Sequence, residues 1–371
     1  MKIVIITTSV GRFGKKGYYN LQEVGLAKAL DKCFDQVDIF KAVDIHDKKT
    51  EEKIDNTNNA FLHLIPCKHR GNNGYMDLNI IPTDTDIVIN CSDTQFFTPS
   101  VYKWAKKNHI MYLPYIGVIE SHSNNPILKL ITNMMFVRNL NIYKKVTCLV
   151  KTPYVESKLR KKGVKNIVVT PVGLDISLLK NDFEKYDRET LKEKYGFQKN
   201  EKILLFIGRL SAEKQPLEMV DIYNEVLKMD SDYRLLMVGN GELKEELQKK
   251  IQESNLNDKV KLIEKIPNRD IWELYRIGDC FVNLNKQEIF GMAIMEAMYY
   301  GCKVVAWNAP GPDFIIQNGV SGYLATDKEE LINAIFSETD MSKIAQKRIL
   351  ESFTWDATVK SLKNAGLLSD S

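Results

Sequence analysis

The sequence predicts an α/β protein built on two doubly wound parallel sheets, and three observations predict it. Short β-branched runs alternate with helix-period segments from residue 2 onward, as strand–helix–strand units require. The pattern closes in turn chemistry at Pro171, Val172, Gly173, Leu174 and Asp175, then starts afresh at residue 203. A chain of 371 residues also has the length of two domains, at about 100–200 residues each. We therefore expect one domain over residues 1–172, a second over 173–350 with the hinge near 173, and a helical tail over 351–371.

Taken in order, residues 2–7 read as a first buried strand and 20–30 as a helix that Asn20 can cap. The loop between them carries Gly11, Gly14 and Gly17. Their spacing fails Gly-x-Gly-x-x-Gly, so it is no dinucleotide fingerprint, and the loop is either surface chain or an acceptor-side element. Residues 37–42, 86–90 and 110–119 read as strands and 98–108 as a helix, while the polar, Asn-rich stretches 43–60 and 66–82 read as loops or a loosely packed helix. Glu120, Ser121 and His122 follow a strand, at the edge where this architecture holds ligands, although a single histidine there can also be structural. Residues 126–145 form a basic, apolar helix that reads first as a core element. The alternative is docking on anionic lipid. Residues 146–150 and 167–170 are strands around a helix at 153–162.

The second half repeats the pattern, with strands at 203–207, 235–238, 260–263 and 280–284 and helices from 216, 242 and 267. Gly208, Arg209 and Lys214 sit between the first of these strands and its helix. Arg grips a diphosphate bidentately and Lys acts as a point charge, so this loop suits one. Residues 288–306 then run from a Phe290-Gly291 loop into a helix at 292–300, a left-handed cap at Gly301 and a strand from Val304, with Gly311, Pro312 and Asp313 in turns beyond. Glu296 is the one group of low pKa between Ile289 and Cys302, on a helix without a polar face. A buried carboxylate costs several kcal/mol unless hydrogen-bonded, so it needs a partner, and two neighbouring hydroxyls of a ribose would serve. The amides at the helix start suit a phosphate.

Composition narrows the classes further. A net charge of +4 sets up no field that demands nucleic acid. Six scattered cysteines without a Cys-x-x-Cys pair argue against zinc and a disulfide framework, and suit a reducing cytoplasm. The amino-terminal apolar run is too short for a signal peptide, and no run approaches the ~20 apolar residues of a membrane span. The expectation is a cytoplasmic protein, at most peripheral on the inner face of the cell membrane. Asp84-Thr85-Asp86 and Asp230-Ser231-Asp232 precede strands rather than end them, so they read as turn residues rather than metal ligands.

Glu288 and Glu296 with seven residues between them, and Gly208-Arg209-Leu210 with Lys214, resemble the signatures of the retaining GT-B glycosyltransferases of family 4. The resemblance covers nearly all of the chain, with its specific motifs in the second half. It implies two Rossmann-like domains facing a cleft, transfer with retention and no metal or other cofactor, and a tail crossing back to the first domain. The implied partners are a nucleotide-sugar donor, UDP-linked, and a saccharide or lipid-linked acceptor in surface polysaccharide or glycolipid synthesis. Arg209 and Lys214 would stabilise the leaving diphosphate, Glu288 would hold the donor sugar and Glu296 the ribose. Phe290, Gly291 and Met292 would offer amides, and Ile266 would lie near the base. His122 would stand near the transferred sugar and Gly14 and Gly17 on the acceptor side. The chain departs from the pattern at Ile289, where glycine is frequent, at Tyr18, in place of the second glycine of the first loop, and at Leu284-Asn285, in place of Pro-Ser. A nucleotide-sugar epimerase or a phosphorylase-like enzyme on the same fold would need a different first-domain carboxylate set or a lysine-bound pyridoxal phosphate. A non-catalytic partner subunit would not need Arg209, Lys214, Glu288 and Glu296 intact.

Overall fold

The computed structural model describes residues 1–10, 21–93, 95–120 and 126–368. The readings at Gly14, Gly17, Tyr18 and His122 lie outside these residues. The chain divides into two compact units, Met1–Gly173 with Trp355–Ser371, and Leu174–Thr354.

The first unit runs β1 (Lys2–Thr7), α1 (Gln22–Asp31), β2 (Gln36–Asp44), β3 (Thr50–Lys53), β4 (Ala60–Arg70), β5 (Asn73–Tyr75), β6 (Ile87–Cys91), α2 (Thr98–Lys107), β7 (Met111–Ile116), α3 (Pro126–Tyr143), β8 (Cys148–Val150), α4 (Pro153–Lys161) and β9 (Ile167–Val169). Among the described residues its sheet orders β3-β4-β2-β1-β6-β7-β8-β9, with β5 paired to β4. The central strands β1 and β6 pair in parallel from Ile3↔Ile87 to Thr7↔Cys91, and Ile3, Ile5 and Ile6 are fully buried. Helices on both faces of a parallel sheet account for such an unbroken apolar run.

Two expectations are corrected here. The stretches 43–60 and 66–82 hold strands, because β3 and β5 pair antiparallel with the long β4. β3, with sequence Thr-Glu-Glu-Lys, is a polar edge strand whose pairing partner, not its own composition, makes it a strand. Helix α3 is not a core helix along its whole face. Phe136, Asn139, Ile142 and Tyr143 are buried, but Ile127, Leu130, Ile131, Met134 and Val137 are 67, 63, 46, 64 and 55% exposed. At ~100° per residue the two sets fall on opposite faces of the helix.

The second unit runs α5 (Arg188–Lys194), β10 (Lys202–Ile207), α6 (Pro216–Met229), β11 (Tyr233–Val238), α7 (Lys244–Glu253), β12 (Val260–Ile263), α8 (Ile271–Ile277), β13 (Cys280–Asn283), α9 (Met292–Tyr299), β14 (Lys303–Trp307), α10 (Pro310–Ile315), β15 (Tyr323–Ala325), α11 (Lys328–Phe336) and α12 (Ser342–Ser352). Its six strands are all parallel in the order β12-β11-β10-β13-β14-β15. The order reverses between β10 and β13, which leaves a crevice at their carboxyl ends where open α/β sheets take ligands. Gly311, Pro312 and Asp313 lie in α10 rather than in a turn, since Pro310 occupies a first-turn position where its missing N–H costs nothing.

Helix α13 (Trp355–Asn364) belongs to the first unit and packs on α1. A Cβ at Gly25 would fall 2.1 Å from Trp355 Nε1, so glycine is what lets the indole lie against α1. Lys32 Nζ pairs with Asp356 Oδ1 at 2.6 Å, and Thr358 Oγ1 donates to Pro171 O at 2.8 Å.

Candidate functional site at the carboxyl edge of the second sheet

β13 ends in a loop that its own asparagines wind. The Asn285 amide donates to Asn283 Oδ1 at 3.0 Å, the Gln287 amide to Asn285 Oδ1 at 2.9 Å, and the Glu288 amide to Asn285 O at 3.2 Å. Asn and Asp side chains stabilise such turns by mimicking the backbone, which accounts for Leu284-Asn285 standing where a Pro-Ser pair is frequent. Both side-chain amides also face Glu288 Oε2, at 3.5 and 3.3 Å.

Gly291 then turns the chain into α9 with φ of 104°, a left-handed value that favours glycine. The amides of Phe290, Gly291, Met292 and Ala293 make no hydrogen bond among the described residues, as the first N–H groups of a helix do when no side chain caps them. Gly311, at the start of α10, holds this loop in place. Its amide donates to Glu288 O at 2.8 Å, and a Cβ on it would fall 2.2 Å from Phe290 O. Gly311→Ala is accordingly expected to push the loop from Glu288 to Gly291 off its position. It should lower unfolding free energy by about 1–3 kcal/mol, read as a lower urea midpoint.

The loop after β10 is clamped the same way. The Gly208 amide donates to Val238 O and the Leu210 amide to Asn240 O, both at 3.0 Å. Gly239 approaches so closely that a Cβ there would lie 1.8 Å from Gly208 O. Lys214 follows in a 3₁₀ turn, ahead of Gln215 at φ 54°. A non-glycine residue in that region costs about 1–3 kcal/mol and is held by its surroundings. This geometry brings Lys214 Nζ to Glu288 Oε2 at 2.5 Å, with both side chains largely buried. Arg209, in the same loop, is exposed. Structure thus joins Lys214 and Glu288, residues from two separate motifs.

Glu296 is 3% exposed, inside α9. Its partner comes from within the chain: Tyr275 of α8 donates its hydroxyl to Glu296 Oε2 at 2.9 Å. Tyr275 also stacks on Tyr300 with ring centroids 5.9 Å apart. Burial pushes the Glu296 carboxyl up from its ordinary 4.5 to about 8. One phenol does not fully replace the water that burial removes. The structure adds Tyr275, Asn283, Asn285 and the clamping Gly311 to the site. An apolar-looking helix such as α8 gives no local signal that its tyrosine hydroxyl meets a carboxylate.

Beside these loops a cavity of about 170 Å³ is lined by Leu210, Met237, Gly239, Lys244, Leu262 and Glu264. Its rim is tied by Glu264, which accepts from Lys244 Nζ at 2.9 Å and from Asn240 Nδ2 at 2.5 Å. Ile266, expected near a base, is half-buried just past this rim in the chain. No group of three or more His, Cys, Asp or Glu able to hold a metal occurs among the described residues.

A family model described as "Glycosyl transferases group 1" matches residues 187–348. Among curated relatives, the UDP-Gal:alpha-D-GlcNAc-diphosphoundecaprenol alpha-1,3-galactosyltransferase of Escherichia coli is 28% identical over 216 residues, 54% of this chain and 56% of that protein. The alpha-monoglucosyldiacylglycerol synthase of Acholeplasma laidlawii is 23% identical over 178 residues, 48% of this chain and 45% of that protein. The chain spans about half the length of these two curated relatives. Among solved structures, sucrose-phosphate synthase from Thermosynechococcus elongatus superposes with a TM-score of 0.73 at 18% identity, covering 99% of this chain and 98% of the other. Anabaena HepE, solved with UDP and glucose, gives 0.70 at 17% identity, covering 98% and 99%.

Proposed function

We propose that this chain, which has the GT-B fold and matches the group 1 glycosyl transferase model over residues 187–348, is a retaining glycosyltransferase. It moves a sugar from a nucleotide-diphosphate sugar, UDP-linked, to a saccharide or lipid-linked acceptor. The observation that carries the reading is the pair of carboxylates flanking the unpaired amides at the start of α9, with Lys214 on one of them.

In this reading the donor diphosphate takes the amides of Phe290, Gly291 and Met292 together with Arg209 and Lys214. Positive groups aimed at the leaving diphosphate stabilise charge that develops as the glycosidic bond breaks, which can lower the barrier by several kcal/mol. Lys214 exchanges its carboxylate partner for phosphate, and Glu288, released, accepts hydrogen bonds from the donor sugar's hydroxyls. Glu296 binds the ribose. No metal or other cofactor takes part. UDP as the carrier is supported by the donor named for the Escherichia coli relative and by the nucleotide solved in Anabaena HepE. Thermal-shift titration with UDP-, GDP- and ADP-sugars tests this. A UDP-sugar at ~100 times its dissociation constant is expected to stabilise by about 2.7 kcal/mol, and the absence of any nucleotide-sugar shift would remove the reading.

The acceptor side carries a second element of the proposal, work at the inner face of a membrane. No helix among the described residues is long and apolar enough to cross one. Helix α3 instead turns its apolar stripe outward, and between residues 121 and 155 the chain carries Lys129, Arg138, Lys144, Lys145 and Lys151 with no Asp or Glu. Apolar side chains beside unopposed basic ones suit an anionic bilayer surface. Flotation with vesicles rich in anionic lipid is expected to carry the protein, and Leu130→Ser with Met134→Ser to leave it at the bottom. Equal recovery on neutral vesicles would count against the charge argument.

A further inference from the structure

A second cavity, of about 390 Å³, opens at the opposite edge of the second unit's sheet. It is lined by Gly278 and Asp279 just before β13 and by Cys302 just before β14, so it lies at the amino ends of the strands, apart from the loops described above. Its volume is in the range of small-molecule sites.

The cations on its wall differ in how they are used. Arg188 is occupied by Asp279 at 2.7 Å and Ile277 O at 2.8 Å, and Lys303 Nζ donates to Ile335 O at 2.6 Å and Ser337 O at 2.7 Å. Arg276 Nε, by contrast, is buried with no hydrogen-bond partner, and neither Arg276 nor Lys343 forms an ion pair among the described residues. Arg276 lines the cavity, and a guanidinium with no carboxylate paired to it draws an anion to that wall. The same wall also presents Ser337, Thr339 and the carboxylates of Glu338 and Asp340. Those acids repel a bare anion but accept hydrogen bonds from hydroxyls.

One lining side chain connects the cavity to Glu296. Tyr275 and Tyr300 line it, stacked on each other, while the Tyr275 hydroxyl holds Glu296 at 2.9 Å. We propose that this cavity is a second binding site, for a small polyhydroxylated anion such as a sugar phosphate, and that its occupant acts on Glu296 through Tyr275. The binding half stands on the cavity alone, and the coupling half rests on the role given to Glu296 above.

Calorimetric titration of the full chain with a hexose 6-phosphate, with the free hexose and with inorganic phosphate tests the binding. The hexose phosphate is expected to bind about 10-fold more tightly than either fragment, and Arg276→Gln and Lys343→Gln each to weaken it about 10-fold. No heat with any probe, equal heat from phosphate alone, or undiminished binding in both variants would overturn the site. When saturating, the hexose phosphate is expected to change the donor KM by about 5-fold or more, a change that Tyr275→Phe abolishes while binding persists. A donor KM indifferent to a bound hexose phosphate would overturn the coupling. Calorimetry needs no turnover, so a protein that fails as a transferase still reports on the cavity.

Discussion

Glu296→Gln is expected to make the donor-free protein more stable at pH 8 than the wild type, while removing most of its affinity for a nucleotide sugar. The stability effect follows from the carboxyl's displacement from 4.5 to about 8 by burial. Between those values the unfolded chain has released the proton and the folded chain still holds it. The folded state therefore binds more protons, and stability falls as pH rises through the window. By pH 8 the wild type should have lost on the order of 2–4 kcal/mol by this route, whereas a glutamine, which does not titrate, loses none of it. Urea midpoints of both proteins at pH 5 and pH 8 measure the difference, and parallel pH profiles would refute the burial argument. The binding effect has the opposite sense. In the proposed binding mode ribose hydroxyls donate to the ionised carboxylate, so wild-type donor affinity should rise with pH towards 8, with a proton released on binding. Losing a charged acceptor should cost about 100-fold in donor affinity, or about 2.7 kcal/mol. Calorimetry in two buffers of different ionisation heat reads both the affinity and the proton count.

Lys214→Ala carries the second large effect, expected to fall on turnover rather than on binding. An ammonium that meets developing charge on a leaving diphosphate acts chiefly in the transition state, and removing one such group costs about 10²–10³ in kcat. Donor affinity should change by less than that. The structure adds a condition that a motif cannot express. Lys214 is paired with Glu288 before any donor arrives, and the side-chain amides of Asn283 and Asn285 also face that carboxylate. The two residues thus belong to one network, and their single and double alanine variants should be non-additive, because removing either member already breaks the pair. A kcat near the wild-type value for Lys214→Ala would remove the leaving-group role. Additive effects in the cycle would remove the exchange of Lys214 between carboxylate and phosphate.

Much of the second unit was legible because its signals are local. The apolar runs of β10 to β14 mark those strands along the sequence, although the sheet reorders them, and the reading of β12 over 260–263 coincides with Val260–Ile263. Gly291 and Gly301, with φ of 104° and 75°, mark helix boundaries that only glycine occupies easily. The first unit was less legible. Its β3 and β5 lack apolar alternation and are strands through antiparallel pairing with β4, while the apolar residues of α3 suggested burial that just one face receives.

By itself, the amino-acid order determined the alternation of strands and helices, the restart of that pattern in the second half, and the two motifs from Gly208 to Lys214 and from Glu288 to Glu296. Those properties depend on periodicity and turn chemistry within a few residues. Tertiary structure decided which charges meet and which side chains are left facing water. Lys214 meets Glu288 across 74 positions and Tyr275 meets Glu296 across 21, while Gly311 makes room for the backbone of Phe290. Contacts between residues so far apart exist only once the sheet has set the loops side by side, and no local preference along the chain encodes them.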